Sequence, residues 1–301
     1  MKIKPLENLN LYGLEKNFKE IINLENENKM PNKILLSGKK GLGKSTLAFH
    51  IINYIFSKEE DYKYDIKNLT INSNNKSFKL LNNNSHPNFY SIDLIADKKN
   101  IDVNQIREMI TYTNKSSFNS KPRFILIDNI ENLNKSSVNA LLKIVEEPNN
   151  NIFFIFIHNN ERKILSTLKS RCLNFKISLT FNESINISNT LLKLNILDLI
   201  NIDLINYYNT PGEFIKLLNF AKEKKIDLKE SSLKDLLNKL IDNSYYKKNK
   251  YAKELTYNFI ELFFLKQYKL SSKKFNLLKI YQSFIDKVNY TEKFNLDEES
   301  L

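Results

Sequence analysis

The chain has 301 residues, 42% of them hydrophobic, a formal net charge of +12 and a single cysteine, Cys172. That leaves room for two or three packed domains, while no apolar stretch reaches the 18 residues of a membrane span. One cysteine excludes an internal disulfide and a four-cysteine zinc site. The basic excess invites nucleic acid, yet lysine is scattered, with local clusters only at Lys247-Lys248-Asn249-Lys250 and Lys222 to Lys225. Charge alone therefore assigns no DNA-contacting face. The segment Met1 to Glu7 lacks the apolar stretch of a signal peptide, and the expectation is a cytosolic protein outside the membrane.

In chain order, the first β-type run is Lys33 to Ser37, and Gly38-Lys39-Lys40-Gly41-Leu42-Gly43-Lys44-Ser45 follows it directly. Glycines at these positions let backbone N–H groups turn inward around a polyphosphate, and the helix expected over Thr46 to Phe56 adds the positive end of its dipole. Gly38, Gly41, Gly43, Lys44, Ser45 and Thr46 are the candidate nucleotide-binding residues. Lys44 is placed for the β- and γ-phosphates, Ser45 for Mg²⁺. His50 in this helix reads as a packing residue. Residues 58–85, rich in Asn, Lys and Ser, read as a surface insertion with little core.

A second run, Asn88 to Leu94, is followed by a helix over Val103 to Tyr112, and a third, Arg123 to Ile127, ends in Asp128. A carboxylate at the tip of a buried strand suits the Mg²⁺ shell of a phosphate-binding loop. The next residue is Asn129, which can hydrogen-bond a water but cannot take its proton. The site is therefore expected to bind ATP or ADP with Mg²⁺ and to turn it over weakly or not at all.

Val138, Leu141, Leu142 and Val145 recur at helical spacing within Ser136 to Glu146, and Pro148 stops the run. A fourth strand, Ile152 to Ile157, leads to His158 and Asn159, a helix over Glu161 to Ser170, and a fifth strand over Leu173 to Ile177. These runs are apolar on both pleats, as strands covered on two faces must be, and predict a five-stranded parallel sheet wrapped by helices. Arg171 lies at the rim between the last helix and strand. An arginine there is either a solvated surface residue or a group that reaches a neighbouring subunit's phosphate. Residues 183–226 predict a small helical domain with a turn at Thr210-Pro211-Gly212. From about residue 230 the pattern is helical throughout, with one stripe of Leu233, Leu236, Leu237, Leu240 and Ile241 and another of Leu277, Tyr281, Phe284, Ile285 and Val288.

Several blocks together carry a resemblance. They are Leu11-Tyr12-Gly13, the loop at 38–45, His86-Pro87-Asn88 and Ile101 to Arg107. Ile127 to Leu133, Asn139 to Pro148 and Ser166 to Cys172 complete them. With these the chain resembles the delta-prime family of bacterial DNA polymerase III clamp-loader subunits, within the AAA+ superfamily. The resemblance implies a P-loop core over 1–177, a small helical lid over 178–228 and a C-terminal helical collar over 229–301. It further implies a stator in a hetero-pentamer with gamma/tau and delta subunits, which loads a sliding clamp on primed DNA during replication. In that family Arg171 would complete a neighbour's ATP site in trans. Many relatives carry four zinc-binding cysteines between the first two strands; residues 58–85 hold none, so no zinc is expected. The family's lid arginine is also missing, since Glu213, Phe214, Ile215 and Lys216 follow Gly212. The alternative is a catalytically active gamma/tau-type ATPase, favoured by the intact Lys44-Ser45. An unrelated P-loop kinase would leave Ser170-Arg171-Cys172 and the helical last third unexplained.

Overall fold

In the computed structural model, which describes residues 4–95, 98–115, 121–146 and 151–294, the five expected β-type runs form one parallel sheet. The elements of its core are α1 (Glu15–Asn26), β1 (Lys33–Ser37), α2 (Lys44–Ser57), α3 (Lys76–Asn82), β2 (Phe89–Ile92), α4 (Val103–Asn114) and β3 (Arg123–Ile127). They continue through α5 (Lys135–Glu146), β4 (Ile152–His158), α6 (Ser166–Lys169) and β5 (Leu173–Lys176). The strand order is β2-β3-β4-β1-β5. A strand thus stands between β1, which feeds the glycine loop, and β3, which ends at Asp128. The carboxyl ends of β2, β3, β4 and β1 open on the same edge, where ligands of such sheets bind.

Two apolar layers explain why these runs are strands. Ile34, Leu36, Phe124, Leu126, Ile155 and Ile157 point to one side, where they meet Phe18 and Ile21 of α1 and Leu47, Ile51 and Phe56 of α2. The alternate residues Leu35, Ile125, Ile127, Phe154 and Phe156 point to the other, against Ile106 and Met109 of α4 and Leu141 and Val145 of α5. Strict alternation with both faces apolar fixes the register, because a slip by one residue would exchange the two layers. Truncating a fully buried member such as Leu36 to alanine is expected to destabilise by roughly 2–5 kcal/mol. Arg123 begins β3 buried, its guanidinium donating to the carbonyls of Tyr112, Thr113 and Lys115 at 3.0–3.2 Å.

Two sequence expectations need correction. Residues 58–85, expected to hold little core, contribute Tyr64, Leu69, Ile71 and Leu81 to the first apolar layer. Leu81 lies in the short α3, while Tyr64, Leu69 and Ile71 lie around a turn closed by an Asp65–Thr70 bridge, with Leu69 at φ +53°, so no periodicity announces them. Asn75, fully buried, caps α3 by accepting from the Phe78 N–H. The helix expected over Glu161 to Ser170 shrinks to the single turn α6. Asn160 at φ +60° breaks the chain before it, and Glu161 pairs with Lys40 at 2.8 Å instead of continuing a helix.

The remaining helices are α7 (Phe181–Leu192), α8 (Ile196–Leu199), α9 (Pro211–Lys224), α10 (Leu233–Asp242), α11 (Tyr245–Lys248), α12 (Lys250–Leu270) and α13 (Lys274–Phe294). The chain divides into two compact units, Met1–Leu191 with Thr210–Ile215, and Leu192–Asn209 with Lys216–Leu301. In the second unit α10 begins with a capping box between Ser232 and Asp235 and buries Leu233, Leu236, Leu237 and Leu240. Ile241, expected in that stripe, is 47% exposed. The second stripe is half-buried along α13, where Tyr281 packs on Phe264 and Phe284 on Tyr257 of α12. Among the described residues no helix is long and apolar enough to cross a membrane.

Candidate nucleotide-binding site

The loop between β1 and α2 is held open by backbone conformation. Gly41 and Gly43 adopt φ of +84° and +87°, a region that side chains disfavour, and Gly43 delivers the chain into the first turn of α2. The N-terminus of this 14-residue helix faces the loop with its positive dipole end. Lys44 is 3% exposed, and its Nζ donates to the carbonyls of Gly38 and Lys39, both at 2.7 Å. Burial lowers its pKa to about 8, against the opposing pull of Asp128, Glu131 and Glu161. Ser45 Oγ donates to Asp128 Oδ2 at 2.5 Å, and burial raises the Asp128 carboxyl above its ordinary value. The structure thus places Gly38, Gly41, Gly43, Lys44, Ser45 and Thr46 along the loop and the first turn of α2, with Asp128 bonded to Ser45.

Asn129, at φ +55°, is tied on both sides. Its Nδ2 donates to Asp93 Oδ1 at 2.6 Å and its Oδ1 accepts from Asn159 Nδ2 at 2.8 Å. Asn159 N–H in turn donates to Glu131 Oε1 at 3.0 Å. Of the two residues that close β4, Asn159 therefore faces the tip of β3, while His158 Nε2 turns to the Arg162 carbonyl at 2.8 Å. Glu131 is 8% exposed, and its Oε2 has no hydrogen-bond partner among the described residues.

Residues 210–213 close over the loop, and sequence reasoning missed this. Thr210 Oγ1 donates to the Lys40 carbonyl at 2.8 Å, Gly212 N–H to the Gly41 carbonyl at 3.0 Å, and Lys39 pairs with Glu213 at 2.9 Å. A Cβ on Gly212 would lie 2.6 Å from Gly41 Cα, so the two glycines permit a backbone approach that other residues would block. No local pattern joins segments so distant in the chain. Asp93 was also missed, although a polar residue just past a buried strand at the carboxyl edge is a signal that could have found it.

Arg171 is not brought to this site. It precedes Leu173, which opposes Ile34 near the start of β1, whereas the glycine loop follows Ser37 at the other end. At about 3.3 Å per residue, some 10 Å of sheet separates the two edges. On the amino edge Arg171 Nη1 donates to the Thr167 carbonyl and Nη2 to Glu146 Oε1, both at 2.8 Å. The neighbouring Glu147 and Pro148 lie outside the described residues. Cys172 donates to the Leu168 carbonyl at 3.2 Å, and burial pushes its thiol up to about 11, which makes it an inert packing group.

Ser45 and Asp128 offer two hard oxygen donors, a set that suits Mg²⁺ arriving with a polyphosphate and its waters. It is too small for a stand-alone ion, and among the described residues no cluster of three His, Cys, Asp or Glu could hold one. His50 is fully buried: its Nε2 lies 3.0 Å from the Asn8 carbonyl, so it donates there, and Nδ1 accepts from the Tyr64 hydroxyl at 2.8 Å. His86 stacks on Phe56 with ring centroids 4.0 Å apart.

The family model described as "DNA polymerase III, delta subunit" matches residues 13–180. The chain is 31% identical over 237 residues to the DNA polymerase III subunit delta' of Buchnera aphidicola subsp. Schizaphis graminum, covering 78% of this chain and 68% of that one. It is 34% identical over 152 residues to the gamma subunit of the same organism, covering 50% of this chain and 39% of that one. A second delta' subunit, from Buchnera aphidicola subsp. Baizongia pistaciae, is 31% identical and is covered over 49% of its length. Among solved structures, a gamma subunit-related protein of Thermotoga maritima superposes with a TM-score of 0.40 at 17% identity, covering 86% of this chain and 76% of that one. So loose a superposition carries no functional inference.

Proposed function

The chain belongs to the DNA polymerase III delta-subunit family, and from that premise we propose that it is a delta-prime-like subunit of a replicative clamp loader. It works in the cytoplasm as a stator beside gamma/tau and delta subunits, in a complex that places a sliding clamp on primed DNA. Residues 1–177 serve as the P-loop core, 178–228 as the lid and 229–301 as the collar that joins the other subunits. Arg171 supplies positive charge to the nucleotide of an adjoining chain. The separation of edges carries this reading: Arg171 stands across the sheet from its own glycine loop and is 37% exposed at the side chain, so any phosphate it meets belongs to another molecule.

The chain's own loop would hold Mg-nucleotide through the backbone N–H groups of 38–45, with Lys44 toward the phosphates and Ser45 and Asp128 as oxygen donors to the ion. When bound, Mg²⁺ neutralises charge on the phosphate oxygens. Lys44 must first leave the carbonyls of Gly38 and Lys39. Asn129 offers no base, and both ends of its amide are already taken by Asp93 and Asn159. Slow or absent turnover follows. A gamma/tau-type ATPase is the second reading, favoured by the assembled Lys44, Ser45 and Asp128 and by the unpartnered buried oxygen of Glu131.

The deciding experiment is DNA- and clamp-stimulated ATP turnover by the reconstituted complex, with wild-type chain or Arg171→Ala. An arginine acting in trans contributes on the order of 10³–10⁵ at the site it serves. Turnover should therefore fall to what the remaining sites provide, with the complex intact. An unchanged rate in an intact complex sinks the trans role. A fall with Lys44→Ala but not Arg171→Ala would establish the second reading.

A further inference from the structure

The ion pair between Arg171 and Glu146 joins two elements distant in sequence, and neither element explains it alone. Glu146 lies in the last described turn of α5. Arg171 follows a single helical turn and has four rotatable side-chain bonds, so without partners its guanidinium would sample many directions. It has two anchors instead. Nη1 reaches back to the Thr167 carbonyl of α6 and Nη2 across to Glu146 Oε1, each at 2.8 Å. Anchors from two elements fix both the reach and the plane of the fork.

The pair is nonetheless easy to exchange. Both side chains are accessible, 37% for Arg171 and 51% for Glu146. An ion pair so exposed shifts an equilibrium by no more than about fivefold. A terminal phosphate carries more charge and presents oxygens at the spacing of the fork, so it takes the Nη2 donor with little opposition. Glu146, already wet, then turns into solvent.

We infer that Glu146 is a positioning residue for Arg171, holding the guanidinium extended at the amino edge until the nucleotide of a neighbouring chain replaces it. The inference rests on the proposed trans role of Arg171. Its benefit is pre-organisation: the ordering of a long side chain is completed before the nucleotide arrives.

The test uses the reconstituted complex and its stimulated ATP turnover, with wild-type chain, Glu146→Ala, Glu146→Gln, Arg171→Ala and the Glu146→Ala/Arg171→Ala double variant. Glu146→Ala should lower kcat roughly two- to fivefold, the most that so exposed an anchor contributes, and leave KM for ATP within about twofold. Glu146→Gln keeps an oxygen that accepts from Nη2 and should recover most of the rate. The double variant should be no slower than Arg171→Ala alone, because Glu146 acts only through the guanidinium. A merely structural role would lower the rate equally in both backgrounds and would lower the thermal midpoint of the chain. Equal losses in the two backgrounds, or full activity of Glu146→Ala beside a slow Arg171→Ala, overturn the inference and leave the trans role standing. If Arg171→Ala is itself fully active in an intact complex, the trans role fails and the inference falls with it.

Discussion

At the carboxyl edge of the sheet Lys44, Ser45, Asp128 and Asn129 find partners among buried and half-buried groups, whereas at the amino edge Arg171 is held by the Thr167 carbonyl and by one carboxylate that water reaches. In the first arrangement Lys44 is buried and Ser45, Asp128 and Asn129 are half-buried, and a buried polar group that lost its partner would be strongly penalised. The second is loose because its groups are wet. A phosphate arriving at the glycine loop has to displace the bonds of a buried lysine, and one arriving at Arg171 displaces only an exposed ion pair. The cation ready for use therefore stands on the side of the molecule away from the chain's own loop.

The largest expected effect tests how firmly the carboxyl edge is locked. Burial lowers the pKa of His50 from 6.5 to about 4, so between these values the unfolded chain binds a proton that the folded one refuses. The stabilising difference is fully present above pH 6.5 and is lost as pH falls through 4, amounting to about 3 kcal/mol at the bottom. Chemical denaturation at pH 7 and pH 4.5 should show the loss, and His50→Gln should flatten the pH slope. An unchanged slope would mean that α2 tolerates charge at its centre and that the loop above it is less firmly held. Next comes Gly212→Ala. Its Cβ would stand 2.6 Å from Gly41 Cα, so it should destabilise the first unit by roughly 1–3 kcal/mol, read as a fall in thermal midpoint. No change would show that residues 210–213 leave the loop easily.

Much of the locked edge was legible in the sequence because its chemistry is local. Glycines that permit a turn, a lysine and serine at the start of a helix, and a carboxylate closing a buried run all lie within a few residues of the element that positions them. The five strands were legible for the same reason, since alternation shows in a window as short as Ile34-Leu35-Leu36. What stayed hidden was long-range. Nothing local tells that β4 lies between β1 and β3, which is why Asn159 rather than His158 meets Asn129. Thr210 and Glu213 reach the loop from far along the chain. The apolar residues of Ile164-Leu165 and Leu168 imitate helical spacing, yet Leu165 is half-exposed and the segment before α6 is tied by the Lys40–Glu161 pair and the His158–Arg162 contact.

Smaller effects sharpen the contrast. With the Lys44 ammonium stable only below about pH 8, affinity for Mg-ATP measured by calorimetry should be flat near neutrality. It should then drop roughly tenfold per pH unit above that value. A flat profile to pH 9.5 would mean that Lys44 does not touch the phosphates. Thr210→Val removes one hydrogen bond to the Lys40 carbonyl and should lower stability by about 1 kcal/mol in denaturant titration.

The smallest expected change is in the stability of Arg171→Ala. Its guanidinium is anchored by Glu146 and the Thr167 carbonyl, but both charged partners are solvated, and exposed pairs contribute little to folding. The thermal midpoint of the isolated variant should match the wild type, with a difference in stability of about 0.5 kcal/mol or less. That near-zero result gives the turnover experiment its meaning. A residue that matters greatly to a complex and hardly at all to its own fold must act on something outside the chain. A drop of several kcal/mol would instead make Arg171 part of the scaffold, and the loss of turnover would then report damage to the subunit.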